Sequence, residues 1–276
     1  AQPLKQLPLR FVLHLPPQPQ TLSHSPRSTL TPSHSPISSS PNLQSFLAVV
    51  GPSGSGKSSV VKAGLIPAIR QGALPESEKW FIAEMIPGTH PLEELEAALF
   101  RVAINPPATL LPQLSEDERG LVRVVKRILP PDGELLLLVD QFEELFTLVE
   151  DEDRRRFFLN SLAATANDMR GRIQLIITLR ADFYDRPLMY PTFGQLIREF
   201  TQAIAPPTKD NLAEAIRQPA AQEGIAVEEA LLTQMVNDVY NQPGVLPLLQ
   251  YAITELFERR QYNKMMQADY EAIGGL

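Results

Sequence analysis

The amino-acid sequence predicts an α/β fold, in which helices cover both faces of a parallel β-sheet and a small all-helical module follows. Three observations support this prediction. From residue 46 onwards, apolar segments of strand length alternate with amphipathic helical patterns, the order expected of a parallel sheet covered on both faces. A glycine-rich turn joins the first of these segments to a helical pattern. The strand pattern stops at Pro206 and Pro207.

Five apolar segments are the predicted strands. The third, Leu135–Val139, contains only aliphatic residues, which predicts a strand buried on both faces. The fourth has the same character, and the fifth has the weakest pattern. The predicted strands span residues 46–50, 80–86, 135–139, 173–179 and 200–205.

Helical patterns fill the intervals between these strands. One helix is predicted to begin near Lys57, directly after the glycine-rich turn, and another to run from the acidic residues 150–153 into the early 160s. Ser115 and Glu118 have the spacing of a capping box, which predicts a helix start between two apolar stripes. These stripes are Leu92, Leu95, Leu99 and Val102, and then Leu121, Val124, Val125 and Ile128.

The segment after Pro207 is predicted to contain helices only. Thr208 is the expected N-cap of the first helix, which we expect to end before Pro219. Apolar stripes around Met235 and Ile253 predict two more helices. The final string YEAIGGL lacks a signal that closes a domain, and the chain begins with Ala1. Both features predict that this is a piece of a longer chain. The composition and the strand pattern divide it into a disordered segment 1–45, a core 46–206 and a helical module 207–276.

Composition excludes several classes of function. Residues 1–45 hold nine prolines, nine serines, three basic and no acidic residues, so this segment is predicted to be disordered and the remainder to be acidic. An acidic surface argues against a nucleic-acid partner. The chain has no cysteine, which excludes disulfides and indicates a cytoplasmic location. Its longest aliphatic run, Leu135–Val139, is too short to span a membrane.

The string GPSGSGKSS at residues 51–59 is the main chemical signal. It fits the pattern G-x-x-x-x-G-K-[ST] between a strand and a helix, as a phosphate-binding loop does. Glycines let backbone N–H groups surround phosphate oxygens, and we expect Lys57 to bind the terminal phosphates and the Ser58 hydroxyl to be a magnesium ligand. The alternative is a turn that only caps the helix. The candidate nucleotide contacts here are Gly51, Ser53, Gly54, Ser55, Gly56, Lys57, Ser58 and Ser59.

Acidic residues follow the third predicted strand. Asp140 comes directly after it, at the sheet edge where parallel sheets bind ligands. We therefore predict that Asp140 and Ser58 hold Mg²⁺, the alternative being that Asp140 caps the next helix. Glu143 and Glu144 are candidates for the base that activates water, although acids in a first helical turn also stabilise the helix dipole. Gln141 is a candidate for positioning that water.

Two residues farther along the chain are candidates for contact with the nucleotide. Arg180 ends the fourth strand, and its planar guanidinium suits the terminal phosphate. Its alternative partner is Asp182. Pro247, in the string GVLPLL, is predicted either to contact the nucleotide or only to begin a helix. The chain contains no N-K-x-D string for guanine, so an adenine nucleotide is favoured.

Five strings together resemble the ATPase domain of STAND signalling proteins, in particular the novel STAND branch that bacteria often fuse to WD-type repeats. They occur in the family's order: GPSGSGKSSVVKAGLIP, LLLLVDQFEELF, IITLRADFYDRP, AEAIRQPAAQEGI and PGVLPLLQYAITELFE. The resemblance implies an AAA-related (ASCE) P-loop NTPase with five parallel strands, a helical domain whose string 244–247 contacts the nucleotide, and a winged helix beginning at YEAIGGL. It also implies that Arg180 is the phosphate sensor.

The sequence departs from the family at two places. Gln141 stands where an acid commonly follows the magnesium aspartate, which predicts slow hydrolysis and leaves Glu143 and Glu144 as alternative bases. The phenylalanine-glycine-arginine string that usually precedes this ATPase is absent, so adenine recognition from that side does not carry over.

The resemblance and the motifs together predict a signalling switch that binds ATP or ADP with Mg²⁺. Hydrolysis or exchange is expected to change the packing of core and module. Expected partners are an adenine nucleotide, flanking effector and repeat domains of the same polypeptide, and further copies in a nucleotide-dependent homo-oligomer, with no nucleic acid and no membrane. The alternatives are a small-molecule or nucleoside kinase and a non-hydrolysing scaffold that retains ADP.

Overall fold

A computed structural model describes residues 45–168, 172–240, 242, 246–260 and 262–275. Residues 1–44, for which the sequence predicts disorder, lie outside this set. Within it, the five predicted core strands form one sheet.

This sheet consists of β1 (Phe46–Gly51), β2 (Phe81–Met85), β3 (Leu135–Val139), β4 (Ile173–Arg180) and β5 (Thr201–Ala203). All five strands run parallel, in the order β2-β3-β4-β1-β5. The predicted α/β class is therefore confirmed. Because β4 lies between β1 and β3, the carboxyl ends of these three strands meet at one edge.

Helices cover the sheet and connect its strands. The helix after β1 is continuous over 57–70 and consists of α1 (Lys57–Ser59), the π-helical segment Val60–Leu65, and α2 (Ile66–Arg70). The other core helices are α3 (Pro91–Phe100), α4 (Leu111–Leu114), α5 (Gly120–Ile128), α6 (Glu144–Thr147), α7 (Glu152–Ala166), α8 (Asp185–Leu188) and α9 (Pro191–Glu199).

The two faces of the sheet are buried in different apolar clusters. Leu135, Leu137 and Val139 of β3 belong to the larger cluster, together with apolar residues of α3, α5, α7 and α9. The two leucines between them belong to a smaller cluster with the helix over 57–70. This alternation follows from the two-residue period of a strand. The predicted burial of β3 on both faces is thus confirmed.

The predicted capping box at Ser115 is wrong. Ser115 Oγ donates a hydrogen bond to Leu111 O (2.8 Å) and so closes α4, whereas α5 begins at Gly120. The Glu118 carboxylate accepts a hydrogen bond from Asn160 Nδ2 of α7 (2.7 Å). Spacing along the sequence does not distinguish a serine that ends one helix from a serine that begins the next.

The C-terminal segment has its own apolar cluster, which includes Leu212, Leu232 and Tyr270. As predicted, Thr208 caps the first helix, since its Oγ1 accepts a hydrogen bond from Asn211 N (3.2 Å). Within the described residues, this cluster shares no member with the two core clusters, which supports our proposed boundary after residue 206. The module's helices are α10 (Lys209–Gln222), α11 (Glu229–Val239), α12 (Leu246–Arg259) and α13 (Gln267–Ala272).

Two predictions for this module are wrong. Helix α10 continues through Pro219, because Pro219 and Ala220 are buried and Glu223 N closes the last turn on Pro219 O (3.2 Å). The module is also not purely helical, because β6 (Ala226–Val227) pairs in parallel with β7 (Lys264–Met265). Two residues are too few to produce a detectable period. None of the helices in the described residues is both long and apolar enough to span a bilayer.

Candidate nucleotide site at the carboxyl edge of the sheet

The loop after β1 has a backbone path that requires glycine. Gly54 and Gly56 have φ angles of 69° and 83°, which side-chain-bearing residues rarely adopt. A Cβ on Gly51 would lie 3.0 Å from Ile204 O and 2.8 Å from Ser55 Oγ. The backbone of the predicted phosphate loop is therefore tightly curved and closely packed, and curved backbone of this kind can turn its N–H groups towards an anion.

The hydroxyl of Ser55 in this loop is buried and has no partner among the described residues. Ser53 is exposed in the same loop, and Ser59 is half-buried in α1. A buried hydroxyl without a partner is unfavourable, so Ser55 fits a site that receives a polar ligand.

Lys57 folds back over the loop from the start of α1. Its Nζ donates hydrogen bonds to Gly51 O (3.0 Å) and Pro52 O (2.8 Å), and the residue is 8% exposed. Burial lowers the pKa of Lys57, with a further lowering by the Arg180 guanidinium, while Glu143 acts in the opposite direction. The ammonium is thus held at the loop by carbonyl oxygens that a phosphate can replace.

Asp140 lies at the end of β3 and is 2% exposed. Its Oδ1 accepts hydrogen bonds from Ser58 Oγ (2.7 Å), Thr178 Oγ1 (2.6 Å) and Gln141 N (3.1 Å). Burial acts to raise the pKa of Asp140, but hydrogen bonds from Lys62, Thr178 and Ser58 outweigh it and hold the pKa below its ordinary value. The site therefore holds an ionised carboxylate beside the Ser58 hydroxyl.

Sequence reasoning missed two side chains of this site. Lys62 Nζ lies 2.8 Å from Asp140 Oδ2, and the buried Thr178 orients the other carboxylate oxygen. The signal for Lys62 is its spacing of four residues from Ser58, which places both on one side of the helix. For Thr178, the signal is its position two residues before Arg180, on the same face of β4.

The candidates for water activation differ in position. Glu143 Oε2 accepts a hydrogen bond from Arg180 N (3.3 Å), and its charge reaches Lys57. The Glu144 carboxylate makes no hydrogen bond or ion pair with the described residues and lies in the first turn of α6. Gln141 is exposed and has a φ of 52°. The structure thus brings Glu143, but not the Glu144 carboxylate, into contact with the site.

Arg180 lies at the end of β4, in register with Gly51 of β1. Its guanidinium binds Asp182 through two contacts, Nε to Oδ1 (3.1 Å) and Nη2 to Oδ2 (2.6 Å), and lies over the Phe183 ring. The local pairing that the sequence left open is thus present. The pKa of Arg180 is raised, chiefly by the hydrogen bond to Asp182.

Pro247 is exposed in the first turn of α12. Residues 243–245, which precede the start of α12 at Leu246, lie outside the described part of the chain. Contact between Pro247 and a nucleotide stays a prediction.

The donor set at this edge fits a magnesium ion that is shared with phosphate. Ser58 and Asp140 offer two hard oxygen ligands within 2.7 Å of each other. No cluster of three or more metal-ligating acids or histidines occurs in the described residues. Mg²⁺ bound with nucleotides commonly takes one or two protein oxygens and completes its shell with phosphate and water, so the residues present suit this ion.

Comparisons with known proteins agree with the geometry. The model of the family described as Novel STAND NTPase 1 matches residues 33–276. No curated protein matches the chain.

Solved structures show the same fold at low sequence identity. Aeropyrum pernix ORC1 in complex with DNA has a TM-score of 0.58 at 15% identity, over 83% of this chain and 59% of that one. Aeropyrum pernix ORC2 in its ADPNP and ADP complexes has a TM-score of 0.56 at 15% identity, over 84% and 59%. Domain III of the Thermotoga maritima replication initiation protein DnaA has a TM-score of 0.50 at 14% identity, over 85% and 80%. The chain thus spans less than two thirds of the two Aeropyrum pernix proteins.

Proposed function

Because the chain belongs to the novel STAND NTPase 1 family, we propose that it is an ATP-binding signalling switch that hydrolyses ATP slowly. Family and fold make it a nucleotide-binding P-loop NTPase domain of STAND type. Adenine as the base, slow turnover and the switching role go beyond that statement. The effector and repeat domains that would transmit the signal are expected elsewhere in the same polypeptide.

One contact carries this proposal. Ser58 Oγ and Asp140 Oδ1, which are 82 residues apart in sequence, lie 2.7 Å apart at the mouth of the glycine loop. Helix capping by Asp140 would not require it to lie near Ser58, whereas two ligands of one magnesium ion must lie close together. Ser58 and Asp140 are therefore the proposed ligands of Mg²⁺, which when bound neutralises phosphate charge.

The loop and Lys57 are proposed to hold the phosphates. The carbonyl oxygens of Gly51 and Pro52 now accept the hydrogen bonds of the Lys57 ammonium, and phosphate oxygens are stronger acceptors for the same group. The other proposed nucleotide contacts are Ser53, Gly54, Ser55, Gly56 and Ser59 of the loop and Pro247 of the module.

Glu143 is the proposed general base. Its carboxylate accepts a hydrogen bond from Arg180 N (3.3 Å), so it lies beside the residue that we propose as the sensor of the terminal phosphate. Gln141 is proposed to orient that water without removing its proton, which is consistent with slow turnover. Glu144 was the alternative base, and the absence of a polar contact from its carboxylate to the described residues favours Glu143.

Arg180 is the proposed sensor of the third phosphate. Its two-point contact with Asp182 is exposed and is therefore weak in water. A terminal phosphate offers the same two-point contact with more negative charge. Exchange of Asp182 for phosphate gives ATP and ADP different contacts with Arg180, and a difference of this kind is what can shift a conformational equilibrium.

Calorimetric titration tests the nucleotide site directly. We expect ATP with Mg²⁺ to bind the parent and to bind Lys57→Ala about a hundredfold more weakly, the loss of a charged contact to phosphate. Lys79→Ala is the matched control, since Lys79 is exposed and pairs only with Glu76 among the described residues. Equal affinity of the parent and Lys57→Ala would contradict the phosphate assignment.

Further partners are proposed from charge and family. The chain carries more acidic than basic residues, which supports the proposal that it does not bind nucleic acid. ORC1, which has a similar fold, was nevertheless solved in complex with DNA. Because this chain is acidic, we expect no change in the fluorescence anisotropy of labelled duplex DNA at low salt. A cytoplasmic location, the absence of a membrane partner and a nucleotide-dependent homo-oligomer complete the proposal.

A further inference from the structure

Lys62 is the charged side chain of this edge that the proposed mechanism leaves without a role. Its Nζ lies 2.8 Å from Asp140 Oδ2 and 3.8 Å from Glu84 Oε2 on β2. The other oxygen of Asp140 accepts hydrogen bonds from Ser58 and Thr178. Both oxygens of the proposed magnesium carboxylate are thus occupied by donors of the protein itself.

The burial of Asp140 explains why it has such a partner. A carboxylate that is 2% exposed is unfavourable unless a nearby cation compensates it. The helix after the phosphate loop supplies that cation, because Ser58 and Lys62 lie four residues apart and contact the two oxygens of one carboxylate. Lys62 lies in the π-helical segment Val60–Leu65, a type of helix that is frequent at functional sites.

The same position conflicts with a divalent cation. Two positive groups on one carboxylate repel each other strongly where water is largely excluded. The Lys62 side chain is 34% exposed and that of Glu84 is 41% exposed, so the lysine has both room to move and a second carboxylate nearby.

We propose that Lys62 is an internal counter-ion that competes with the divalent cation for Asp140 and moves to Glu84 when the metal binds. This inference rests on the proposed nucleotide site. It assigns Lys62 a function in setting the metal affinity of that site. Glu84 is the acceptor that makes the displacement favourable.

Binding of Mn²⁺ in the presence of ADP, measured by electron paramagnetic resonance, tests the competition without requiring turnover. We expect Lys62→Met to bind Mn²⁺ about tenfold more tightly than the parent, since a competing ion pair is removed. Lys79→Met removes the same charge from an exposed pair and is expected to leave the affinity within about twofold. Unchanged or weaker Mn²⁺ binding by Lys62→Met would overturn the proposal.

A second variant tests the exchange of partners and needs no change at Lys62. Glu84→Gln is expected to weaken Mn²⁺ binding about threefold, because the displaced Lys62 loses the carboxylate that accepts it. In the Lys62→Met background, the same change is expected to have little effect. Equal effects of Glu84→Gln in both backgrounds would show that Glu84 acts on the metal directly and would overturn the exchange.

The outcomes also separate this inference from the proposed function. A parent that binds no ADP in calorimetry, with or without Mn²⁺, would overturn both. A parent that binds ADP with Mn²⁺, together with a Lys62→Met variant of unchanged Mn²⁺ affinity, would overturn the counter-ion alone. Lys62→Arg keeps the charge and is expected to retain the parent affinity.

Discussion

The carboxyl edge of the sheet and the helical module are built in opposite ways. At the sheet edge, Lys57 and Asp140 are buried and each is held by polar groups: Lys57 by carbonyl oxygens of its own loop, and Asp140 by the hydroxyls of Ser58 and Thr178. In the module, the ion pair Arg217–Glu229 is exposed, and the cluster that the module's helices bury together is apolar. Apart from Tyr270 of the module, whose hydroxyl donates a hydrogen bond to Asp238 Oδ2 (2.9 Å), the buried polar or charged side chains of the described residues all belong to the core: Lys57, Ser77, Asp140, Ser161, Thr165, Gln174 and Thr178.

This difference separates function from stability. A buried ion pair generally stabilises a fold no better than well-packed apolar side chains do, so the charges at the sheet edge point to ligand binding. The module has a cluster of the kind that stabilises by apolar burial. Substitutions at the edge are therefore expected to change binding or rate with little loss of stability, and substitutions in the module's cluster to do the reverse.

The largest expected effect is on hydrolysis and concerns Glu143. Glu143→Gln removes the proposed base and is expected to lower the steady-state ATPase rate by about a hundredfold or more, in the range of general-base catalysis. ATP affinity is expected to stay near that of the parent, because the carboxylate contacts Arg180 N and not the loop. A phosphate-release assay and calorimetry give the two numbers.

Glu144→Gln is the matched control for this prediction. It makes the same chemical change one residue away, at a carboxylate without a polar contact to the described residues, and is expected to leave the rate within about threefold. A larger loss for Glu144→Gln than for Glu143→Gln would reverse the assignment of the base.

The next effect tests whether the two regions unfold separately. Leu232 is 3% exposed in the module's cluster, and Leu232→Ala is expected to lower the free energy of unfolding of the module by about 3 kcal/mol. Trp80 is the chain's single tryptophan and packs against the smaller core cluster, so its fluorescence reports on the core. In a urea titration, the far-ultraviolet circular dichroism transition, to which the module's helices contribute, should shift to lower urea concentrations. The midpoint of the Trp80 fluorescence transition should stay unchanged.

Leu162→Ala provides the reciprocal measurement in the core. Leu162 is fully buried in the larger core cluster, so its truncation is expected to shift the Trp80 transition by a similar amount. If Leu232→Ala moves both transitions equally, the two regions unfold as one unit and the proposed boundary after residue 206 is not a stability boundary.

The smallest expected effect concerns a core charge remote from the site. Glu96 of α3 accepts hydrogen bonds from Thr109 Oγ1 (2.7 Å), Leu110 N (2.5 Å) and Leu111 N (3.0 Å). Burial acts to raise the pKa of Glu96, but the three hydrogen bonds together outweigh this effect and hold the pKa below its ordinary value.

A lowered pKa makes the stability contribution of Glu96 depend on acid. The contribution is fully present above the pKa of the unfolded chain, about 4.3, and is lost as the pH falls through the lower folded value. Glu96→Gln is therefore expected to lose less stability than the parent between about pH 5 and about pH 3. Urea midpoints at both pH values measure this, and parallel losses in the two proteins would contradict it.

Local sequence patterns were sufficient for the sheet. The run Leu135–Val139 is aliphatic throughout and is buried on both faces, because a strand between two helical layers has no polar side. The glycine loop was equally readable, since Gly54 and Gly56 adopt backbone angles that other residues avoid. The prediction was wrong at Ser115, where a helix end and a helix start share the same residue spacing. It was also wrong at Pro219, because a proline can lie in the last turn of a helix.

Only part of the site could be predicted from the sequence. Neighbouring positions along the chain indicate which residues are chemically suitable, but they do not determine the direction in which each side chain points. Glu143 and Glu144 are equivalent in sequence, yet the structure gives only the Glu143 carboxylate a hydrogen bond to Arg180 N. Thr178 and Lys62 have no chemical signature of their own and become part of the site only through Asp140.

The sequence by itself determined the class of fold, the phosphate loop and the aspartate at the end of β3, because periodicity and glycine geometry act over a few neighbouring residues. Tertiary structure alone decided which charges share the buried carboxylate and which acid faces Arg180. Those choices depend on strands and helices that are far apart in sequence and meet only when the sheet assembles.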